Sequence, residues 1–156
     1  RAATAGSSPG MGLIMLYPMI DRMVMTVEKA YRSKHPNIII DIDDSIGLRI
    51  DEGDLMELLG NLIDNAFKWC RYSIHISASY QDNWITIQVQ DDGSGIPSHE
   101  IARILERGVR ADQSTPGHGI GLAIVRDIIQ VYEGELAIDN NPKGGACITL
   151  RLKKSK

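Results

Sequence analysis

Three short stretches hold the residue types that handle a nucleotide. In Asn61-Leu62-Ile63-Asp64-Asn65 the two asparagines stand four apart, within a run whose apolar positions Leu55, Leu58, Leu59, Leu62 and Ala66 repeat at helical spacing. Both amides therefore share one helical face at the border of an apolar stripe. The bland reading is a pair of surface amides. Against it, asparagine competes for backbone hydrogen bonds and is disfavoured inside helices, so two on one face need a reason. An amide carbonyl is a hard oxygen that can complete a Mg²⁺ shell otherwise made of water and phosphate oxygens. Lys68 lies one turn beyond Asn65 and can reach phosphates, and Trp69 can offer its ring to a base or ribose. Taken singly, plain exposure explains Lys68, and core packing explains Trp69, equally well.

Asp91 closes an alternating apolar run and is followed by Gly93 and Gly95. A carboxylate there can accept a hydrogen bond from an exocyclic amine such as adenine's, and the glycines let backbone come close to a ligand. Asp-Gly after a strand is also an ordinary turn. Gly117, Gly119 and Gly121, with His118 and Ile120 between them, stand where a helical pattern begins. Free N–H groups and the dipole at a helix start favour phosphate. A glycine triplet alone is a weak signal, and its weight comes from following the amide pair and the aspartate in order.

Between Pro97 and Gly117 runs a charged, poorly periodic stretch with Arg103, Arg107 and Arg110, suited to a mobile lid. Arg107 and Arg110 can clamp a γ-phosphate, although solvated arginines read the same way. His118 can touch phosphate. His35, His75 and His99 have settings that suggest no chemistry, with His75 expected to face outward on a strand. No histidine stands in a helical, acidic setting suited to accepting a phosphoryl group, and no Ser-His-Asp or Cys-His pairing is suggested.

The elements that must position these residues follow from periodicity. Leu13, Leu16, Ile20, Met23, Val24, Val27 and Tyr31 predict a first amphipathic helix, whose methionines read as core more readily than as an adaptable interface. Ile38–Ile42 predicts a strand, and Asp51 or Asp54 caps a second helix that runs to about Trp69. Ile74, Ile76, Ala78 and Tyr80, then Ile85, Ile87 and Val89, alternate around the turn Gln81-Asp82-Asn83 as a β-hairpin with one buried face. A short helix near Glu100–Leu105, a helix from about Gly121 to Tyr132 ended by Gly134, and strands Leu136–Asp139 and Ala146–Leu152 complete the chain. The order predicts an α+β fold: a two-layer α/β sandwich whose antiparallel-rich sheet carries its helices on one face.

Composition narrows the partners. A length of 156 residues suits one domain, and a formal net charge of −3 gives no electrostatic reason to expect nucleic acid or an anionic membrane. Lys153, Lys154 and Lys156 read as a solvated tail. Cys70 and Cys147 form no metal spacing and need no disulfide, so a reducing cytoplasmic setting is expected. No apolar run approaches the ~20 residues of a membrane span, and no signal-peptide layout is seen. Residues 1–10 are expected to be a linker or an expression remnant, with the folded domain at 11–156.

Asn61-x-x-x-Asn65-Ala66-Phe67-Lys68, Asp91-x-Gly93-x-Gly95-Ile96 and Gly117-x-Gly119-x-Gly121-Leu122 resemble the N, G1 and G2 boxes of the sensor histidine kinase ATP-binding domain. That family shares a superfamily with gyrase, Hsp90 and MutL, and the likeness spans about residues 13–152. Glu106-Arg107-Gly108-Val109-Arg110, with Gly60-Asn61 and Tyr132-Glu133-Gly134, narrows it to a subgroup of bacterial sensors of magnesium and cationic peptides.

The resemblance implies a Bergerat-type fold that binds ATP and Mg²⁺, with Asn65 the direct metal ligand and Asn61 serving metal and phosphate. It implies that Asp91 reads adenine and that Lys68, Arg110 and the Gly117–Gly121 amides face phosphates. Trp69, Gly93, Gly95, Ile96, Arg107, His118, Ile120 and Leu122 fall within the same nucleotide-binding boxes. Two positions depart from the pattern: Leu105 and Gly108 replace the two phenylalanines of the F box, and Thr115 replaces a basic lid residue.

The implied partners are a histidine-bearing dimerisation domain and, through it, a response regulator, with no direct membrane contact. No His-Glu-x-x-Thr-Pro-like box is present in the sequence, so the chain is expected to be the catalytic part of a longer membrane-bound kinase. Rival readings are a stand-alone ATPase, an anti-sigma-factor serine kinase and a non-catalytic nucleotide-binding module. The first two place Glu where this chain has Asn61.

Overall fold

The computed structural model describes residues 12–106 and 119–154. The elements run β1 (Leu13–Met15), α1 (Leu16–Glu28), β2 (Asn37–Ile42), β3 (Gly47–Arg49), α2 (Glu52–Trp69), β4 (Ser73–Gln81) and β5 (Trp84–Asp91), then α3 (Ser98–Leu105), α4 (Gly119–Val131), β6 (Glu135–Asn140) and β7 (Ala146–Lys153). Five strands form one mixed sheet in the order β2-β4-β5-β7-β6. Only its β2–β4 pair is parallel. This is the expected α+β architecture, with α1 and α4 packed on either side of α2 and α2 lying over β5.

Period-2 alternation builds the sheet's inner face. Ile85, Ile87, Val89 and Asp91 of β5 are buried in turn, opposite Leu152, Leu150 and Ile148 of β7. In α2 the stripe Leu55, Leu58, Leu59, Leu62, Ile63, Ala66 and Phe67 is buried against this face. Each such Leu, Ile or Phe side chain contributes ~1.5–3 kcal/mol through removal of apolar surface from water. Asp51 caps the helix, accepting from the Asp54 N–H at 2.9 Å, and Glu52 and Asp54 add negative charge where the dipole favours it.

Local differences from the periodicity have physical causes. Leu13–Met15 does not begin a helix; it pairs antiparallel with Gly47–Arg49, and Leu16 N–H then bonds the Ile46 carbonyl at 2.9 Å. A second ladder thus replaces the first helical turn. Helix α1 stops at Glu28, short of Tyr31, and α4 starts at Gly119, two residues before the periodicity suggested. Of the α1 methionines, Met19 and Met23 are core, whereas Met25 is exposed. His75 lies on the sheet's outer face but is half-buried, and its Nε2 has no hydrogen-bond partner among the described residues.

Candidate functional site

The predicted residues gather around the C-terminal half of α2. Asn61 is half-buried, and its Nδ2 donates to the Glu57 carbonyl at 2.8 Å. A Cβ built on Gly121 would lie 3.2 Å from Asn61 Oδ1, so the first turn of α4 rests directly on that amide. One turn further along α2, Asn65 is only 5% exposed, and its buried Nδ2 has no hydrogen-bond partner among the described residues. A buried amide without a partner is costly in a finished core and is what a ligand-dependent site leaves behind. Lys68 follows, its Nζ 5.5 Å from the centre of the half-buried Trp69 ring.

The Asp91–Ile96 loop meets this helix end on. A Cβ on Gly93 would overlap the Trp69 carbonyl oxygen, so only glycine lets the loop close over the last turn of α2. Asp91 is 7% exposed, with Oδ1 accepting from Gly93 N–H at 2.8 Å and Ala146 N–H at 3.3 Å. Its neighbour Asp92 turns the other way and accepts from the N–H groups of Arg71 and Tyr72 at 2.7 and 2.9 Å. Burial pushes the Asp92 carboxyl up, but the backbone donors of Arg71, Tyr72 and Ser73 outweigh it and hold the group below its ordinary value.

Several residues that the sequence did not single out build the frame. The Lys34 ammonium donates to the carbonyls of Phe67, Lys68 and Cys70 at 2.9, 2.8 and 3.0 Å, closing the C-terminus of α2. The Arg126 guanidinium, 4% exposed, donates from α4 to the carbonyls of Ile104 and Glu106 at 2.8 and 3.2 Å and pairs with Asp127. It thereby fixes where α3 ends. Tyr132 donates to the buried Asp54 at 2.6 Å, tying α4 to the start of α2. Burial and then the Asp54 bond push the Tyr132 hydroxyl up to about 12. No local motif announces these long-range ties.

Ile96 and Leu122 are 1% and 0% exposed and belong to the apolar core. Gly119 and Ile120 open α4, whereas Arg107, Arg110, Thr115, Gly117 and His118 lie outside the described residues. Among the described residues no three His, Cys, Asp or Glu side chains cluster as a metal cage. The donor set of amide oxygens suits a cation held mainly through phosphate oxygens and water, as Mg²⁺ is held beside a nucleotide.

Residues 50–156 match the family described as histidine kinase-, DNA gyrase B- and HSP90-like ATPase. The chain belongs to this family. Among family members, it is 40% identical over 137 residues to the two-component sensor PhoQ of Pseudomonas aeruginosa, covering 88% of this chain and 31% of that protein. Against the virulence sensor histidine kinase PhoQ of Salmonella typhimurium the identity is 38% over 129 residues, or 83% of this chain and 26% of the relative.

In three dimensions the mycobacterial sensor histidine kinase MprB superposes with a TM-score of 0.76 at 25% identity, covering 92% of this chain and 97% of that one. The catalytic domain of histidine kinase ThkA gives 0.79 at 20% identity, over 94% and 99% of the two chains, which speaks for the fold alone. The chain is thus an ATP-binding catalytic domain of the two-component sensor kinase type. It spans less than a third of the PhoQ relatives it matches. Among the described residues no helix is long and apolar enough to cross a membrane.

Proposed function

We propose that this domain holds Mg²⁺-ATP and presents its γ-phosphoryl group to a histidine on a separate dimerisation domain, for onward passage to a response regulator. The observation that carries the reading is the convergence of three sequence-distant motifs on the C-terminal half of α2: Gly121 against Asn61, the buried Asn65 amide, and Gly93, bonded to Asp91, against the Trp69 carbonyl. In this reading Asp91 accepts the adenine amine and Trp69 flanks the base. Asn65 offers its amide oxygen to Mg²⁺ and its NH₂ to phosphate, and Asn61 with Lys68 faces the phosphates. Bound there, Mg²⁺ supplies charge neutralisation on the phosphate oxygens. The chain's own work is positioning and electrostatic complementarity. Arg107, Arg110, Gly117 and His118 complete the phosphate end in this proposal.

Asn61 argues against the ATPase and serine-kinase alternatives. An amide whose Nδ2 is engaged by the Glu57 carbonyl cannot take a proton from water or a hydroxyl as a carboxylate would. The test mixes this domain, a purified dimerisation domain from a PhoQ relative and radiolabelled ATP. Acid-labile label is expected on the added domain only, dependent on Mg²⁺ and lost in Asn65→Ala. Brisk ATP hydrolysis by the domain alone, surviving repurification and absent in Asn65→Ala, would replace this reading with the ATPase.

A further inference from the structure

One rung of the β6–β7 ladder, Asn140 opposite Ala146, holds both ends of the Asp91–Ile96 loop. At one end Ala146 N–H donates to Asp91 Oδ1 at 3.3 Å. At the other, Asn140 closes a two-point clamp on a single residue: its Oδ1 accepts from Ile96 N–H at 2.7 Å, and its Nδ2 donates to the Ile96 carbonyl at 2.8 Å. Because one contact needs an acceptor and the other a donor, the clamp defines the amide's orientation.

The glycines around the rung show how closely the parts are fitted. Gly95 has φ of +85°, and a Cβ there would stand 2.6 Å from Asn140 Oδ1. Gly145 has φ of +98°, and a Cβ there would overlap the Asp91 carbonyl. The turn between β6 and β7 is therefore seated under the loop, held by Asn141 N–H to Gly145 carbonyl and Gly144 N–H to Asn141 carbonyl, both at 2.8 Å. With Oδ1 of Asp91 engaged by two backbone donors, the plane of its carboxylate is set, and with it the direction in which that group accepts a further hydrogen bond.

We propose that Asn140 is a positioning residue for base selectivity: by fixing Ile96 it holds the loop at the geometry in which Asp91 distinguishes an exocyclic amine from a carbonyl. Asn140 touches neither base nor phosphate in this account. It acts through the loop, because the six-residue segment has both termini tied to one rung and little freedom between them. The inference rests on Asp91 reading the base.

The experiment measures ATP and GTP affinity by calorimetry for the wild-type domain, Asp91→Ala, Asn140→Ala and Asn140→Asp, with thermal melting of each. Loss of two hydrogen bonds that orient the loop is expected to weaken ATP roughly tenfold in Asn140→Ala while leaving GTP nearly unchanged, so that the ATP/GTP ratio collapses toward that of Asp91→Ala. Asn140→Asp keeps the acceptor for Ile96 N–H and sets a carboxylate against the Ile96 carbonyl. It should fold and still lose most of the ratio, which keeps the test open if the alanine variant fails to fold. A preserved ratio in either folded Asn140 variant, whatever the change in melting temperature, would make Asn140 purely structural and overturn the proposal. Wild-type protein that does not favour ATP, or an Asp91→Ala variant that keeps the preference, would instead overturn the reading of Asp91.

Discussion

Replacing Lys34 by Met keeps a chain of similar length and removes one ammonium, which isolates what that charge does for α2. The ammonium meets three carbonyls of the last turn at 2.8–3.0 Å. These oxygens are the unsatisfied end of an 18-residue helix, where partial negative charge accumulates. A cation at a helix C-terminus contributes about 0.3–1 kcal/mol when exposed and up to about 2 in partly buried geometry. Hydrogen bonds to a charged donor add to this, but the three share one charge and are not additive. Lys34 is half-buried, so about 2 kcal/mol is the reasonable loss. For a domain of this size that corresponds to a fall in Tm of about 4–8 °C.

Urea and thermal unfolding of the variant should show this shift with an unchanged m-value. Amide exchange at Cys70, whose N–H bonds the Ala66 carbonyl at 2.9 Å, should accelerate with it. A Tm within about 1 °C of wild type would show that water replaces the ammonium at no cost, and the argument that Lys34 closes α2 would fail.

Two further outcomes follow from the same end of the helix. In a Trp84→Phe background, where Trp69 is the remaining tryptophan, saturating ATP should change the emission of Trp69; an unaltered spectrum would mean the ring only packs. The Asp92 carboxyl sits below its ordinary value, so its stabilising contribution is complete above the unfolded-state value near 4 and is lost as pH falls through the lower folded-state value. The stability gap between wild type and Asp92→Asn should therefore be constant from about pH 5 upward and close below about pH 4; a gap that persists at pH 2 would contradict the charge-based account.

The elements were legible wherever one period dominated. Ile85, Ile87, Val89 and Asp91 alternate without interruption, and the α2 stripe holds from Leu55 to Phe67, so strand, helix and the amide face came straight from spacing. Leu13 to Leu16 misled because a run of four consecutive apolar residues satisfies helix and strand alike, and the choice was made by pairing with Gly47–Arg49, a long-range event. The motif residues of the site were visible by type. Lys34, Asp92, Arg126 and Asn140 were not, since each acts on a backbone group between 20 and 44 positions away, and nothing in the local sequence marks a side chain for a distant carbonyl.

The adjacent acids Asp91 and Asp92 show how little separates a buried inward group from one that ties a distant chain segment. Strand alternation sends consecutive side chains to opposite faces, and Asp91 occupies the last inward position of β5, in register with Ile74. It therefore enters the buried layer, where two backbone donors orient it. Asp92, one residue later, reaches the chain that leaves α2 and accepts from Arg71 and Tyr72. The two carboxylates are chemically alike, and only register divides their work. A slip of one residue in β5 would put Asp92 in the buried inward position and leave the exit of α2 untied. Register is held against that slip by the inward pairs Ile76–Val89, Val89–Ile148 and Ile87–Leu150, so the apolar core of the sheet is what determines which of two identical side chains enters the buried layer.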